Sequence, residues 1–141
     1  MNFSTSIKTV YNKYFVFHGR AIRSEFWWFT LYQVAIGLGL EFLLGETAGN
    51  IWSLAHLIPS ISVACRRLHD IDRSGWWQLL PLLSLPFVFL GFGSTTFLWI
   101  GGVVGIVLYI VLIVWYATPG TPGANRYGPD PFDDTDAEIF A

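Results

Sequence analysis

Apolar residues run through this chain in long blocks, and the polar connectors between the blocks are of two alternating kinds. The first segment, 3–17, is different. Phe3, Ile7, Val10, Tyr11 and Tyr14 recur at helical spacing, with Lys8, Asn12 and Lys13 on other faces. This predicts an amphipathic helix, lying in a lipid headgroup layer or packed on the protein's own surface. His18-Gly19-Arg20 breaks the pattern, and Ser24 is placed to cap the next helix. The next apolar block, 26–44, opens on Phe26-Trp27-Trp28-Phe29, an interfacial aromatic belt, and has a length suited to a bilayer core. A second block, 48–65, contains Pro59, which predicts a bend.

No residue from Trp76 to Ala117 is charged. As one helix this stretch would be about 63 Å long, twice the thickness of a bilayer core, so it must turn. Gly91-Phe92-Gly93-Ser94-Thr95-Thr96 supplies the turn and divides it into 76–92 and 97–117. Pro81 and Pro86 kink the former, which is either a full span or a re-entrant segment.

Charge then fixes the orientation. All 8 Lys and Arg lie outside the apolar blocks, on alternate connectors. Lys8, Lys13, Arg20 and Arg23 precede the first block; Arg66, Arg67 and Arg73 follow the second; Arg126 lies in the tail. The connectors around 45–50 and 93–96 have none. Basic residues stay cytoplasmic during insertion, so the pattern predicts an all-α integral membrane bundle of four transmembrane helices in two hairpins, with both termini cytoplasmic.

Composition narrows the class further. Charged residues make up 13% and apolar residues 53%, where soluble domains have roughly 25% charged. Too few polar residues are available to cover a soluble core. So few, dispersed bases argue against a nucleic-acid partner. Cys65 is the sole cysteine, which excludes an intramolecular disulfide. No cleavable leader is apparent, so the first block serves as an uncleaved anchor. The tail from Thr118 is Pro- and Gly-rich, then acidic through Asp130, Asp133, Asp134, Asp136 and Glu138, with disorder expected after Phe132.

Three blocks carry a family resemblance. They are Gly19-Arg20-Ala21-Ile22-Arg23-Ser24-Glu25-Phe26-Trp27, then Arg66-Arg67-Leu68-His69-Asp70 through Arg73-Ser74-Gly75-Trp76-Trp77, and Pro119-Gly120-Thr121-Pro122-Gly123 through Asn125-Arg126-Tyr127-Gly128-Pro129-Asp130-Pro131. In this order they resemble the bacterial inner-membrane proteins grouped as domain of unknown function 805, over about Tyr14 to Pro131. The resemblance implies a small multi-pass inner-membrane protein and no catalytic residues.

The densest polar cluster is Arg66, Arg67, His69, Asp70, Asp72 and Arg73. Planar arginine forks suit phosphate, and the imidazole and carboxylates can orient a ligand, so the cluster is a candidate anion or headgroup site. Holding topology, with the acids paired to the arginines, is the plainer role. Within the apolar blocks, Glu41 and His56 form a candidate polar pair, expected at similar depth near the outer face. Gly101 and Gly105 make a small-residue face for close helix packing, within the chain or between copies. Arg126 is placed to reach Asp70 or Asp72 if the tail docks. No second pair joins Cys65 and His69 at zinc-site spacing, so no metal or cofactor is expected. No nucleophile and base can be assigned, so an enzyme is not expected either. The leading expectation is a non-enzymatic component binding lipid or an unknown protein partner through its cytoplasmic face. The alternative is a small homo-oligomeric transporter or channel using Glu41 and His56.

Overall fold

The computed structural model describes residues 1–132 and is helical, with no strand among them. Six α-helices occur in the order α1 (Phe3–Asn12), α2 (Arg23–Leu44), α3 (Glu46–Ala55), α4 (Leu57–Asp70), α5 (Leu85–Leu90) and α6 (Thr95–Ala117). Between α4 and α5 the chain runs as a tighter 3₁₀ helix, Gly75–Ser84, and a second short one, Gly91–Gly93, comes after α5. Pro81 and Pro86 each remove a backbone donor, which is why 75–93 is a relay of short helices.

Among the described residues, three segments are long and apolar enough to cross a membrane: Arg23–Leu44, Gly75–Gly93 and Thr95–Ala117. Four spans are therefore not supported. The expected second span, 48–65, is instead two short helices that meet at His56. Pro59 explains the break. It has no N–H to give Ala55 O four residues back, and the Tyr14 hydroxyl donates to that carbonyl instead, at 2.6 Å. Together α3 and α4 return the chain to its starting level, since Arg66 near the end of α4 pairs with Glu25 in the first turn of α2. The reversal after α2 needs Gly45, whose φ of 89° is costly for any residue with a Cβ.

Two helix ends differ from the sequence expectation. The amphipathic helix stops at Asn12, not 17, because Ser62 Oγ on α4 bonds Lys13 O and Val16 O and holds that stretch as a turn. Its start is capped by Asn2, whose Oδ1 accepts from Thr5 N at 2.9 Å. Ser24 does not cap α2, which already begins at Arg23 with Ile22 in the capping position.

The core is small and lies at one end. Val10, Ala21, Phe26, Phe29 and Val63 are buried together, with Tyr32, Ala64 and Tyr116 packed against them. Away from this end the two hairpins diverge, and α3 touches neither α5 nor α6. Gly101 and Gly105 pack inside the chain: a Cβ on Gly101 would lie 3.1 Å from Phe87 Cβ, and one on Gly105 3.2 Å from Ser84 Oγ. Most other apolar residues of α2 and α6 are exposed, as lipid-facing residues are. The expected disorder after Phe132 falls outside the described residues.

Candidate functional site

The end of α4 is where the polar residues converge. Arg66, Arg67, Leu68, His69 and Asp70 are all buried, although four of them are polar or charged. Such residues are almost never fully buried unless paired, so their partners account for the fold here.

Asp70 is the centre of a knot. Its Oδ1 accepts from Arg20 Nε at 2.9 Å, and its Oδ2 from Arg67 Nη1. Arg20 then spreads over the tail, giving Nη2 to Thr121 O at 2.5 Å and Nη1 to Gly123 O at 2.6 Å. Arg67 gives Nε to Tyr116 O at 3.0 Å and Nη2 to Thr118 O. The Asp70 carbonyl accepts Thr121 N at 2.8 Å. One carboxylate and two guanidinium groups thus tie the 19–25 turn, α4 and the 116–130 tail together. Burial lowers the Arg67 pKa from its ordinary value and Asp70 opposes that fall.

A second buried pair lies beside it. Arg66 Nη1 meets Glu25 Oε1 at 2.5 Å, and the Arg66 carbonyl accepts Ala21 N at 3.0 Å. Arg66 Nε and Nη2 have no partner among the described residues. Arg20 and Glu25 were absent from the candidates read in the sequence. Their signal was their place in the polar block just before an apolar run, with Glu25 in the first helical turn where a negative charge is favoured.

The remaining candidates divide clearly. His69 donates Nδ1–H to Gly19 O at 3.1 Å, because a carbonyl can only accept. Its Nε2 lone pair then faces Cys65 Sγ at 3.6 Å. The ring stacks on Tyr127 with centroids 3.8 Å apart, and Asn125 Nδ2 donates to the His69 carbonyl. Asp72 sits past the helix end in the left-handed region, φ 56°. Asp72 N to His69 O and Arg73 N to Leu68 O close the helix as a Schellman motif. Asp72 pairs with Arg126 at 3.1 Å on the surface, so the tail does dock. Arg73 lies over Trp115, 4.1 Å from the ring centroid.

This geometry corrects the idea of an open anion site on the arginine forks. Arg67 has all three nitrogens occupied, and Arg66 is 1% exposed. Neither presents a fork to solvent.

Glu41 and His56 are not brought together. Tyr11 OH meets His56 Nε2 at 2.5 Å, and His56 Nδ1 lies 2.9 Å from Trp52 O. On the facing helix, Gln33 takes bonds from Trp52 and Ser60, while Glu41 lies against Gly49. Glu41 is therefore eight residues beyond the level of His56, about 12 Å along α2. It lines an open groove of about 220 Å³ with Gln33, Asn50 and Ser53.

Burial lowers the His69 pKa below its ordinary 6.5, and Arg126 acts in the same direction. The unfolded chain then binds more protons than the folded one as pH drops from 6.5, so stability falls with acidification. A thermal midpoint in detergent should decline below about pH 6.5. His69→Asn, whose amide can still donate to Gly19 O, should flatten that decline. An unchanged slope would show that other groups cause it.

A helical membrane protein whose buried charges gather at one end, in an ionic knot and a neighbouring ion pair, is the class that these features define. The family model described as protein of unknown function (DUF805) matches residues 14–129. The chain belongs to this family. Inner membrane protein YhaI of Escherichia coli K12 is 36% identical over 132 residues, 87% of this chain and 92% of that one. Inner membrane protein YhaH of the same strain is 36% identical over 133 residues, 86% of this chain and 92% of its own. YiiR, an uncharacterized protein of that strain, is 31% identical over 134 residues, covering 89% and 92%. No solved structure matches. With the apolar helices, these relatives identify a bacterial inner-membrane protein.

Proposed function

We propose that this protein is a non-enzymatic, multi-pass component of the inner membrane, with both termini cytoplasmic. Its polar head is a binding surface for lipid or a protein partner, made of α1, the 66–75 segment and the 119–131 tail. The knot is the observation that carries this reading. It spends buried charge on holding three chain segments in one shape, which is what a recognition surface needs and a lipid-facing helix does not.

The exposed cations favour the cytoplasmic side for this head. Lys8, Lys13, Arg23, Arg73 and Arg126 are exposed at this end, and the connectors at the other end contain no basic residue. Burial pushes the Cys65 thiol up, so it is a poor nucleophile beside His69.

Photo-crosslinking amino acids test the reading. At Arg126, ultraviolet irradiation of cells should give adducts with lipid or a second protein. At Asn50, in the groove with Glu41, lipid alone should be captured. The groove favours a second reading, an oligomeric transporter with Glu41 in its path. Chain-to-chain adducts at Asn50 with none at Arg126 would replace the first reading with the second.

A further inference from the structure

A cavity of about 500 Å³ opens between α1, the turn before α2 and the last described residues of the tail. This volume is in the range of small-ligand sites. One wall is a stripe of residues spaced four apart, Thr5 and Thr9 of α1 and Lys13 at its C-terminal cap. Among the described residues the two hydroxyls and the ammonium have no hydrogen-bonding or ionic partner. Glu25 lines the same cavity with a side chain only 4% exposed. Its Oε1 is taken by Arg66, and Oε2 has no partner among the described residues. Arg20 also lines the cavity, with each of its three nitrogens already donating to Asp70 or the tail.

The cavity is therefore polar at two ends and opposite in sign. One end offers a free ammonium and two hydroxyls, which suit a phosphate oxygen. The other offers the second oxygen of the Glu25 carboxylate, which can accept from a donor. The surroundings set its level in the membrane. Phe3 of α1 packs edge-on against Trp28 with centroids 5.6 Å apart, and Trp27, Trp28 and Phe15 are exposed. Aromatic residues of this kind sit at the headgroup layer.

Resting on the reading of the head as a binding surface, we propose that this cavity holds the headgroup of a phosphodiester lipid. Lys13, Thr9 and Thr5 hold the phosphate, and Glu25 Oε2 accepts from a hydroxyl or ammonium at the headgroup's end. A diester carries one negative charge; a monoester would bring a second one towards Glu25. A choline headgroup has no N–H or O–H to give and leaves Oε2 unpaired.

The full chain in mild detergent, titrated with short-chain lipids and followed by native mass spectrometry, tests this. Phosphatidylglycerol and phosphatidylethanolamine should bind at least about tenfold more tightly than phosphatidylcholine. Lys13→Ala should weaken phosphatidylglycerol about tenfold, and Thr9→Val less, with thermal midpoints unchanged, since both residues lie outside the core. Glu25→Gln should remove the preference over choline. Should Glu25→Gln fail to fold, Lys13→Ala and Thr9→Val decide alone. Equal affinity for choline lipid, absence of any lipid binding, or indifference to Lys13→Ala would overturn the proposal. Soluble glycerophosphoglycerol binding as tightly as the lipid would place the ligand in the cytosol and overturn the lipid assignment. Head adducts at Arg126 with a failed titration would leave the wider reading standing and remove this one.

Discussion

Asp70→Asn should destabilise the detergent-solubilised protein by about 3–5 kcal/mol, the usual cost of removing one member of a buried ion pair. The amide keeps the shape of the carboxylate and can still accept one hydrogen bond. It leaves Arg20 and Arg67, each with side chains at most 2% exposed, without their shared counter-charge. Two buried cations then repel each other, and the Thr121 and Gly123 carbonyls held by Arg20 lose their anchor. Denaturation in mixed micelles would measure the loss. Limited proteolysis should show new cleavage within 119–130 before the spans unfold. Arg126→Ala is the control, because its pair with Asp72 is exposed at 61% and 46%. Such surface pairs contribute about 0–1 kcal/mol. Equal, small effects of both changes would mean that the knot is not what holds the head.

How far the sequence reveals this arrangement depends on which interactions are local. Apolar runs identify the crossing helices because a bilayer imposes length and hydropathy on each one separately. Prolines at 59, 81 and 86 mark irregularities because a missing N–H acts within one turn. The knot is different in kind. Arg20 meets Asp70 and the Thr121 carbonyl, so its partners are 50 and 101 residues away. Charge in the sequence shows that these groups need partners and cannot say which. Pairing of the acids with the arginines was legible as the plainer role of Arg66 and Arg67, but not that Arg66 takes Glu25 and that Asp70 is shared with Arg20.

The error over Glu41 and His56 has a related cause. A hairpin drawn from the turn alone places the two at one depth. The actual register is set by Gln33, which receives the Trp52 indole and the Ser60 hydroxyl and sets His56 far below Glu41. An amphipathic period could not help, since helices in lipid are apolar on every side and conceal which face meets protein.

Gly120→Ala should cost about 1–3 kcal/mol, and the reason is steric. A Cβ there would sit 2.8 Å from Asp70 Cγ and 2.9 Å from Asp70 Oδ1, well inside contact distance. An isolated carboxylate would swing aside. This one is held by Arg20 on one oxygen and Arg67 on the other, so the methyl must displace the whole knot or push the tail away. Residue 120 has no left-handed backbone to lose, which separates it from Gly123, where φ is 69° and nothing lies within 4 Å. A double-mutant cycle should show the coupling of Gly120 to Asp70. In an Asp70→Ala background the collision is gone, so Gly120→Ala should add almost nothing, giving a coupling of about 1–3 kcal/mol. Gly123→Ala should cost about 1–2 kcal/mol where the knot holds the tail, through its backbone conformation and with no collision involved. If Gly120→Ala remained as harmful without the carboxylate, the tail would be seated by something other than the knot.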